Sequence, residues 1–200
     1  YLIDCGESTF KAMFSRNEIY DYDNIVVLLT HLHADHIGSL GSFLSFCKNV
    51  LDKKVLLAAE EDTIVNILDQ SGVHTDKYNF TTDFKECEAD GLSIYVKRES
   101  HATDMLCCGF IFECNGEKIY YSGDTSNVPS DVLNAFLSGE IKTMYQECTF
   151  LDKDSTSHFS LKKLCEIIPY EERQRVYCMH LGDDIEDDIV KAGFRVPKVV

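Results

Sequence analysis

The sequence has no long hydrophobic run and very little proline. None of its apolar stretches approaches the roughly 18–20 residues that a membrane-spanning helix needs. The longest stretch, Ile25 to Leu29, has the length of a buried strand. Three prolines in 200 residues, with no repeat or low-complexity tract, leave little room for a flexible linker. We therefore predict a single domain over residues 1–200 that does not associate with a membrane.

Positive charge is also scarce, because 19 Lys and Arg stand against 34 Asp and Glu, for a net charge of −15. The densest basic groupings are pairs, such as Lys53-Lys54 and Lys162-Lys163. A polyanion such as tRNA is repelled by this field unless a local basic patch counters it. The composition therefore disfavours structured tRNA as a partner. It leaves the oligomeric state open, with a homo-oligomer among the alternatives.

The nine cysteines include no CxxC pair. Most lie inside apolar runs, as Cys114, Cys148 and Cys178 do, where cysteine behaves as a small hydrophobic residue. An odd number of cysteines placed in this way is unlike the disulfide framework of a small secreted protein. We expect a cytoplasmic protein.

Short apolar runs rich in β-formers alternate with helical patterns along the chain. The predicted strands are Tyr1–Asp4, Ile25–Thr30, Lys54–Ala59, Leu92–Lys97, Gly109–Cys114, Lys118–Ser122, Thr143–Cys148 and Arg175–Met179. The predicted helices are Glu7–Phe14, Ile37–Val50, Glu60–Gln70, Asp131–Leu137, Leu161–Ile168 and Ile185–Ala192. Ser130 and Ser160 stand where helix N-caps are expected. Asn115-Gly116 predicts a hairpin, because both residues tolerate positive φ. This mixed order indicates a layered α/β sandwich.

A dense group of metal-ligand side chains follows the apolar strand Ile25–Leu29. His31, His33, Asp35 and His36 fall within six residues of one another. In an extended segment alternate side chains share a face, so His31 and His33 should point the same way. Asp35 and His36 then fall at the turn into the next predicted helix.

Three further candidates follow other strands: His101 closes the run Ile94–Glu99, Asp124 follows Tyr121, and His180 follows Cys178. Side chains at the carboxyl ends of strands can converge on one edge of a sheet. Five imidazoles and two carboxylates suit Zn²⁺, with Mn²⁺ or Fe²⁺ as alternatives. Because seven ligands exceed one tetrahedral site, we predict two divalent ions about 3.5–4 Å apart, bridged by Asp124 and a hydroxide. A purely structural zinc site is the alternative, although such sites are usually rich in cysteine.

The order HxHxDH, then a separate His, an Asp and a last His, resembles the five-motif pattern of the metallo-β-lactamase superfamily over nearly the whole chain. Asp4, in the segment Leu2–Gly6, resembles the first motif. The resemblance implies an αββα four-layer sandwich. That fold normally begins with one or two strands before the segment Tyr1–Asp4, so we expect those strands to be missing from this sequence.

The same resemblance implies a role for each ligand. One metal would be held by His31, His33 and His101, the other by Asp35, His36 and His180, with Asp124 between them. Asp4 would brace the histidine loop. We expect Asp4, Thr30 and Glu147 to support the ligands without touching the metals.

Three local motifs resemble the ribonuclease Z and phosphodiesterase branch of that superfamily. They are Ser122-Gly123-Asp124-Thr125, Gln146-Glu147-Cys148-Thr149-Phe150 and His158-Phe159-Ser160. In the second, Gln146 replaces a histidine, and in the third Phe159-Ser160 replaces Ser-Thr. The resemblance implies that His158 acts on the leaving group. The alternative is an ordinary loop histidine beside the polar stretch Asp152–Ser157. Ribonuclease Z itself is disfavoured, because no insertion is long and basic enough for its tRNA-gripping arm.

These patterns predict a binuclear metal-dependent hydrolase that acts on phosphodiester or related phosphoric-ester bonds of a small substrate. A metal-bridging hydroxide would attack, and His158 would serve as general acid. Asp35 counts among the catalytic residues as well as the ligands. Two alternatives remain: a thioester, lactone or other carboxylic-ester hydrolase with the same metal site, and a metal-binding sensor without turnover.

Overall fold

The computed structural model describes residues 1–149, 157–181 and 184–198. The chain divides into two compact units, Tyr1–Glu88 (the N-terminal unit) and Ala89–Val200 (the C-terminal unit). Each unit has its own sheet and its own hydrophobic core. Within the described ranges, no helix has the length and apolar character that crossing a bilayer requires. The single domain over residues 1–200 stays a prediction.

The N-terminal unit is built on a four-stranded sheet in the order β1-β2-β3-β4, in which all neighbours are parallel. Its elements are β1 (Leu2–Ile3), α1 (Thr9–Ser15), a 3₁₀ helix (Glu18–Asp21), β2 (Val26–Leu28), α2 (Ala34–Ile37), α3 (Leu40–Leu51), β3 (Val55–Ala58), α4 (Thr63–Gln70), β4 (Tyr78–Thr81) and a second 3₁₀ helix (Phe84–Cys87). Parallel strands need crossover connections, and the helices supply them. The carboxyl ends of β1 and β2 therefore lie at the same edge of the sheet.

Helix α3 shows why this unit folds as it does. Leu40, Phe43, Leu44 and Cys47 recur at helical spacing, and all four are buried. They form one core with apolar residues of the sheet, including Val27 of β2. Burying one apolar stripe against a sheet is the usual source of helix stability in a globular protein. The segment that connects β2 to α3 is thereby anchored at both ends.

The C-terminal unit is built on a five-stranded sheet in the order β5-β6-β7-β8-β9. Its elements are β5 (Leu92–Arg98), β6 (Cys108–Cys114), β7 (Glu117–Tyr121), α5 (Ser130–Leu137), β8 (Ile141–Glu147), α6 (Leu161–Ile167), a 3₁₀ helix (Tyr170–Arg175), β9 (Val176–Met179) and α7 (Glu186–Lys191). Strands β5, β6 and β7 pair antiparallel, whereas β7, β8 and β9 pair parallel. Because β5 and β7 both oppose β6, β5 points the same way as β7, β8 and β9. All four strands end at the same edge of the sheet.

Local signals in the C-terminal unit are partly confirmed. Asn115 and Gly116 join β6 to β7 with φ angles of 53° and 77°, as the hairpin prediction requires. Ser160 caps α6, because its hydroxyl accepts from the Lys163 backbone N–H at 3.3 Å. The prediction for Ser130 is wrong: it is the first residue of α5, and Pro129 holds the N-cap position.

All eight predicted strands are present within a few residues of their expected bounds, but β4 was missed. Its Tyr-Asn-Phe-Thr sequence is short and contains a polar residue, so it gives a weak strand signal on its own. The predicted helix Ile37–Val50 is in fact two helices, α2 and α3, separated by Gly38 and Ser39. Asp35 and His36 therefore lie inside α2 rather than at a turn before a long helix.

Candidate metal centre

In the N-terminal unit, the four predicted ligands lie together just beyond the end of β2. The Nε2 atom of His31 is 2.9 Å from the Nδ1 atom of His33. The rings of His31 and His36 lie 4.0 Å apart between centroids. Helix α2 brings the Nε2 atom of His36 to 3.7 Å from Asp35 Oδ2. The expectation that His31 and His33 share a face is therefore confirmed.

Asp4 lies directly after β1 and is buried beneath this loop. Its Oδ1 accepts from the Thr30 backbone N–H, and its Oδ2 contacts both the Thr30 hydroxyl and His36 Nδ1, each at 2.8 Å. A carboxylate only accepts hydrogen bonds, so His36 carries its proton on Nδ1. The Nε2 atom is then the nitrogen that can bind a metal. The geometry supports the bracing role expected for Asp4 and Thr30.

Gly6 is a site residue that the sequence reasoning missed. A Cβ at this position would lie 2.0 Å from the backbone oxygen of Asp35. Nearby, the backbone N–H of Cys5 donates to the carbonyl oxygen of His36 at 2.7 Å. The segment after β1 therefore packs directly on helix α2, and only glycine permits that approach. A glycine just after an apolar strand was the available signal.

In the C-terminal unit, one oxygen of Asp124 lies between two imidazoles. Asp124 Oδ2 is 3.7 Å from His101 Nε2 and 3.5 Å from His180 Nε2, and Asp124 is buried. Two ligand atoms bound to one tetrahedral Zn²⁺ lie about 3.4 Å apart, given bond lengths near 2.1 Å. Each of the two separations is therefore close to that expected for Asp124 Oδ2 and the neighbouring imidazole nitrogen if both bound the same cation. The donor atoms are imidazole nitrogens and carboxylate oxygens, with no thiolate sulfur, and this set also suits Zn²⁺.

The ring of His101 is oriented by its other nitrogen. Its Nδ1 lies 2.7 Å from the backbone oxygen of Ser157. Since a carbonyl can only accept, Nδ1 carries the proton and Nε2 is the nitrogen for a metal ion. In the N-terminal unit, Asp4 orients the ring of His36 in the same way, by accepting from its Nδ1.

His180 follows β9 and has a φ of 54°. A left-handed backbone is uncommon for a residue with a side chain, and such conformations cluster at functional sites. The turn brings His180 Nδ1 to 3.5 Å from Glu147 Oε1, while Nε2 faces Asp124. His180 also stacks on His158, with ring centroids 5.8 Å apart.

Glu147 is fully buried at the end of β8 and is hydrogen-bonded on both carboxylate oxygens. Its Oε2 accepts from the Thr125 backbone N–H, and its Oε1 contacts His158 Nδ1. Donor atoms of Asp124, Glu147, His158 and His180 all lie within 4.8 Å of one another. Glu147 is thus close enough to be a ligand itself, besides the supporting role expected for it.

His158 lies at this same cluster rather than on a remote surface loop. Its side chain is 37% exposed and its ring centroid is 4.9 Å from that of His101. Phe150, the last residue of one predicted motif, and residues 152–156 of the polar stretch beside His158 lie outside the described residues.

Glu99 was also missed by the sequence reasoning. It follows β5, and its two oxygens contact the Tyr120 hydroxyl at 2.6 Å and the Thr125 hydroxyl at 3.0 Å. Burial raises the pKa of the Glu99 carboxyl to about 7, against the lowering effect of these two hydrogen bonds. The signal was an acidic residue at a strand end, two positions before His101.

Comparison with known proteins identifies the family of this chain. The family profile described as "Anti-Pycsar protein Apyc1" matches residues 1–196. A protein of that name from Bacillus phage BSP38 is 28% identical, over 96% of this chain and 81% of its own length. A ribonuclease Z from Mycolicibacterium paratuberculosis is 24% identical, over 85% of this chain and 66% of its own length.

Two solved structures share the fold. The metallo-β-lactamase fold protein YhfI from Bacillus subtilis has a TM-score of 0.76 at 19% identity, covering 98% of this chain and 83% of its own. A diphosphatase of the PhnP family has a TM-score of 0.73 at 18% identity, covering 98% of this chain and 76% of its own. The predicted α/β fold of the metallo-β-lactamase superfamily is confirmed. The match over residues 1–196 shows that the chain belongs to the Anti-Pycsar protein Apyc1 family.

Proposed function

We propose that this chain is a metal-dependent phosphodiesterase that acts on small phosphodiesters, with cyclic nucleotides as the substrate class. The position of Asp124 Oδ2 between the Nε2 atoms of His101 and His180, at 3.7 and 3.5 Å, carries the proposal. The Glu147–His158 pair beside it supplies a candidate proton donor. The family name, Anti-Pycsar protein, and the ribonuclease Z relative support phosphodiester chemistry over carboxylic-ester chemistry.

We propose two divalent ions, preferably Zn²⁺, as the cofactors. The proposed ligands are the seven residues His31, His33, Asp35, His36, His101, Asp124 and His180. Their donors are imidazole nitrogens and carboxylate oxygens, which bind Zn²⁺ and also Mn²⁺ or Fe²⁺. When bound, two such ions lower the pKa of a water toward 7 and offset negative charge developing on the phosphoryl group.

The protein's own residues orient this chemistry. Asp4 holds the His36 ring, and the Ser157 carbonyl holds the His101 ring, so each presents Nε2. Rings fixed before the metal arrives lose less rotational freedom on binding it, and outer hydrogen bonds of this kind raise ligand basicity. Asp35, at the start of α2, is an exposed carboxylate, and we retain it as both a ligand and a catalytic residue.

His158 is the proposed general acid. Its Nδ1 is hydrogen-bonded to Glu147, which fixes the ring orientation. With Glu147 accepting from Nδ1, the ring donates a proton from Nε2 to the leaving oxygen in its imidazolium form, which carries a proton on both nitrogens. Opening a cyclic phosphodiester releases an alkoxide, which is a poor leaving group unless it is protonated.

The proposed partner is a small-molecule substrate, with no structured tRNA, and the net charge of −15 agrees with that choice. We retain the cytoplasm as the proposed location.

The test combines metal analysis with two substrates of different leaving-group basicity. We expect about two zinc ions per chain in zinc-replete protein. His158→Ala should slow hydrolysis of a 3′,5′-cyclic nucleotide by about 10²–10⁴-fold. It should slow bis-p-nitrophenyl phosphate much less, because p-nitrophenolate leaves without a proton. Zinc content should not change, since His158 is not a proposed ligand.

The matched control is His74→Ala. His74 is an exposed histidine that also pairs with a carboxylate, Asp69, at 2.6 Å from Nδ1 to Oδ1. This variant should keep full activity on both substrates. An equal loss on both substrates in His158→Ala would contradict the general-acid role. Activity on thioesters or lactones without phosphodiester activity would identify the alternative hydrolase, and metal binding without turnover would identify a sensor.

A further inference from the structure

Two loops of the C-terminal unit are tied together although their strands are not neighbours. Strands β5 and β7 are separated in the sheet by β6, so no ladder hydrogen bonds join them. The loop after β5 carries His101, and the loop after β7 carries Asp124. Their donor atoms, His101 Nε2 and Asp124 Oδ2, nevertheless lie 3.7 Å apart. Something other than strand pairing must hold this separation.

Side-chain and backbone contacts between the loops supply that restraint. Glu99 Oε2 lies 3.0 Å from the Thr125 hydroxyl. One residue further along both loops, the backbone N–H and the hydroxyl of Ser126 donate to the Ser100 carbonyl oxygen at 2.6 and 2.7 Å. These contacts occur at consecutive positions, immediately before His101 and immediately after Asp124. We call the Glu99–Thr125 and Ser100–Ser126 contacts the loop clamp.

The loop clamp is anchored on both sides in the core of this unit. The Tyr120 hydroxyl donates to Glu99 Oε1 at 2.6 Å, and Tyr120 is fully buried in β7. Thr125 is also fully buried, and its backbone N–H donates to Glu147 Oε2. Glu147 in turn contacts His158. One threonine therefore joins two acidic side chains that come from the ends of β5 and β8.

Glu99 is only partly exposed, and its carboxylate is hydrogen-bonded to the hydroxyls of Tyr120 and Thr125. These bonds offset part of the hydration that the carboxylate loses. They also fix the two loops that carry proposed ligands, and outer hydrogen bonds of this kind determine how well metal ligands are prepositioned.

We infer that Glu99 and Thr125 are positioning residues, which set the separation of His101 and Asp124 through the loop clamp and so determine how tightly these proposed ligands bind a metal ion. The inference rests on the proposed metal-dependent function. Neither residue acts on substrate. The main consequence is for metal affinity and for the rigidity of residues 124–127 in the metal-free protein.

The experiment compares Thr125→Val, Thr125→Ser and Glu99→Gln in the full chain. Valine keeps the shape of threonine and the backbone N–H to Glu147, but it removes the hydroxyl. Serine restores that hydroxyl. Thr143→Val, on strand β8 away from both loops, is the matched control. Zinc affinity is measured by competition with a chromophoric chelator, and amide hydrogen exchange of residues 124–127 is measured in metal-free protein.

We expect Thr125→Val and Glu99→Gln to weaken zinc binding by about 10–100-fold, the usual cost of losing an outer hydrogen bond at a metal site. The Ser126 amide should exchange faster in both variants. Thr125→Ser should recover most of the affinity, and Thr143→Val should match the wild type. In zinc-saturated protein we expect kcat to fall more than KM rises, since substrate contacts are unchanged.

Wild-type zinc affinity in Thr125→Val would overturn the inference. A loss of stability against urea in metal-free protein with unchanged zinc affinity would do the same, because it would mark Thr125 as a purely structural residue. These readouts need no substrate. If the wild type binds zinc but cleaves no phosphodiester, the proposed function fails while the affinity ratio of variant to wild type still decides the role of the clamp.

Discussion

Replacing Asp4 with asparagine tests how the histidine loop of the N-terminal unit is prepared for a metal. Three contacts converge on the Asp4 carboxylate, from the Thr30 backbone N–H, the Thr30 hydroxyl and His36 Nδ1, each at 2.8 Å. Asparagine keeps the oxygen that accepts from the backbone. It replaces the other oxygen with an amide group, which donates and cannot accept.

The expected consequence is a change of tautomer at His36. An asparagine N–H facing His36 Nδ1 favours the ring with its proton on Nε2, the nitrogen that the metal needs. We expect zinc affinity to fall by about 10–100-fold, or about 1.4–2.7 kcal/mol. Asp4→Ala should lose at least as much affinity. It removes all three contacts and also places alanine at a φ of 59°, where asparagine is tolerated better.

The assay is zinc competition against a chromophoric chelator, accompanied by urea unfolding of the metal-free protein. Asp90→Asn is the matched control, because Asp90 also has a left-handed backbone, with a φ of 54°, but lies in an exposed turn. It should leave zinc affinity unchanged. Unaltered zinc affinity in Asp4→Asn would refute the reasoning. Lower stability of the metal-free variant with unaltered affinity would show that Asp4 supports the fold and not the ligands.

Two further predictions concern the same unit. The Cβ of Gly6→Ala would lie 2.0 Å from the Asp35 backbone oxygen. The substitution should therefore lower the free energy of unfolding in urea by about 1–3 kcal/mol, the usual cost of overpacking. It should also weaken zinc binding, because Asp35 is a proposed ligand. Gly41→Ala should be much less destabilising, because its Cβ would meet a side-chain atom of Val73 at 3.3 Å and no backbone atom. Equal effects of the two substitutions would contradict the steric argument. Burial raises the pKa of the Cys5 thiol from 9.0 to about 11, so at pH 8 its thiolate fraction should be about 100-fold lower than in the unfolded chain. In native protein, iodoacetamide should therefore label Cys5 far more slowly than the partly exposed Cys114, and in urea it should label both at the same rate. Mass spectrometry would measure both rates. Fast labelling of Cys5 in native protein would contradict its burial.

Much of this protein follows from local sequence. Each predicted strand was an apolar run, and each was found, because a strand buried in a sheet needs consecutive or alternating apolar residues whatever its neighbours are. The Asn115-Gly116 hairpin is equally local, since the turn depends on the φ angles of those two residues. The ligand types of His31, His33, Asp35 and His36 and their position just after a strand can also be read from the local sequence, whereas helix α2 brings the side chains of Asp35 and His36 together.

What the sequence could not determine depends on contacts between distant segments. Asp4 and His36 are 32 residues apart, and Glu99 and Thr125 are 26 apart. Whether such residues meet depends on strand order and direction. Because β5, β7, β8 and β9 all end at one edge, Glu147 at the end of β8 lies at the same edge as Glu99, Asp124 and His180, which follow the other three strands. Local patterns encode which segments are strands, but strand pairing is chosen by the packing of the whole unit. The sequence by itself therefore determined the ligand types and the strands that carry them, while tertiary structure decided which acidic side chains orient those ligands.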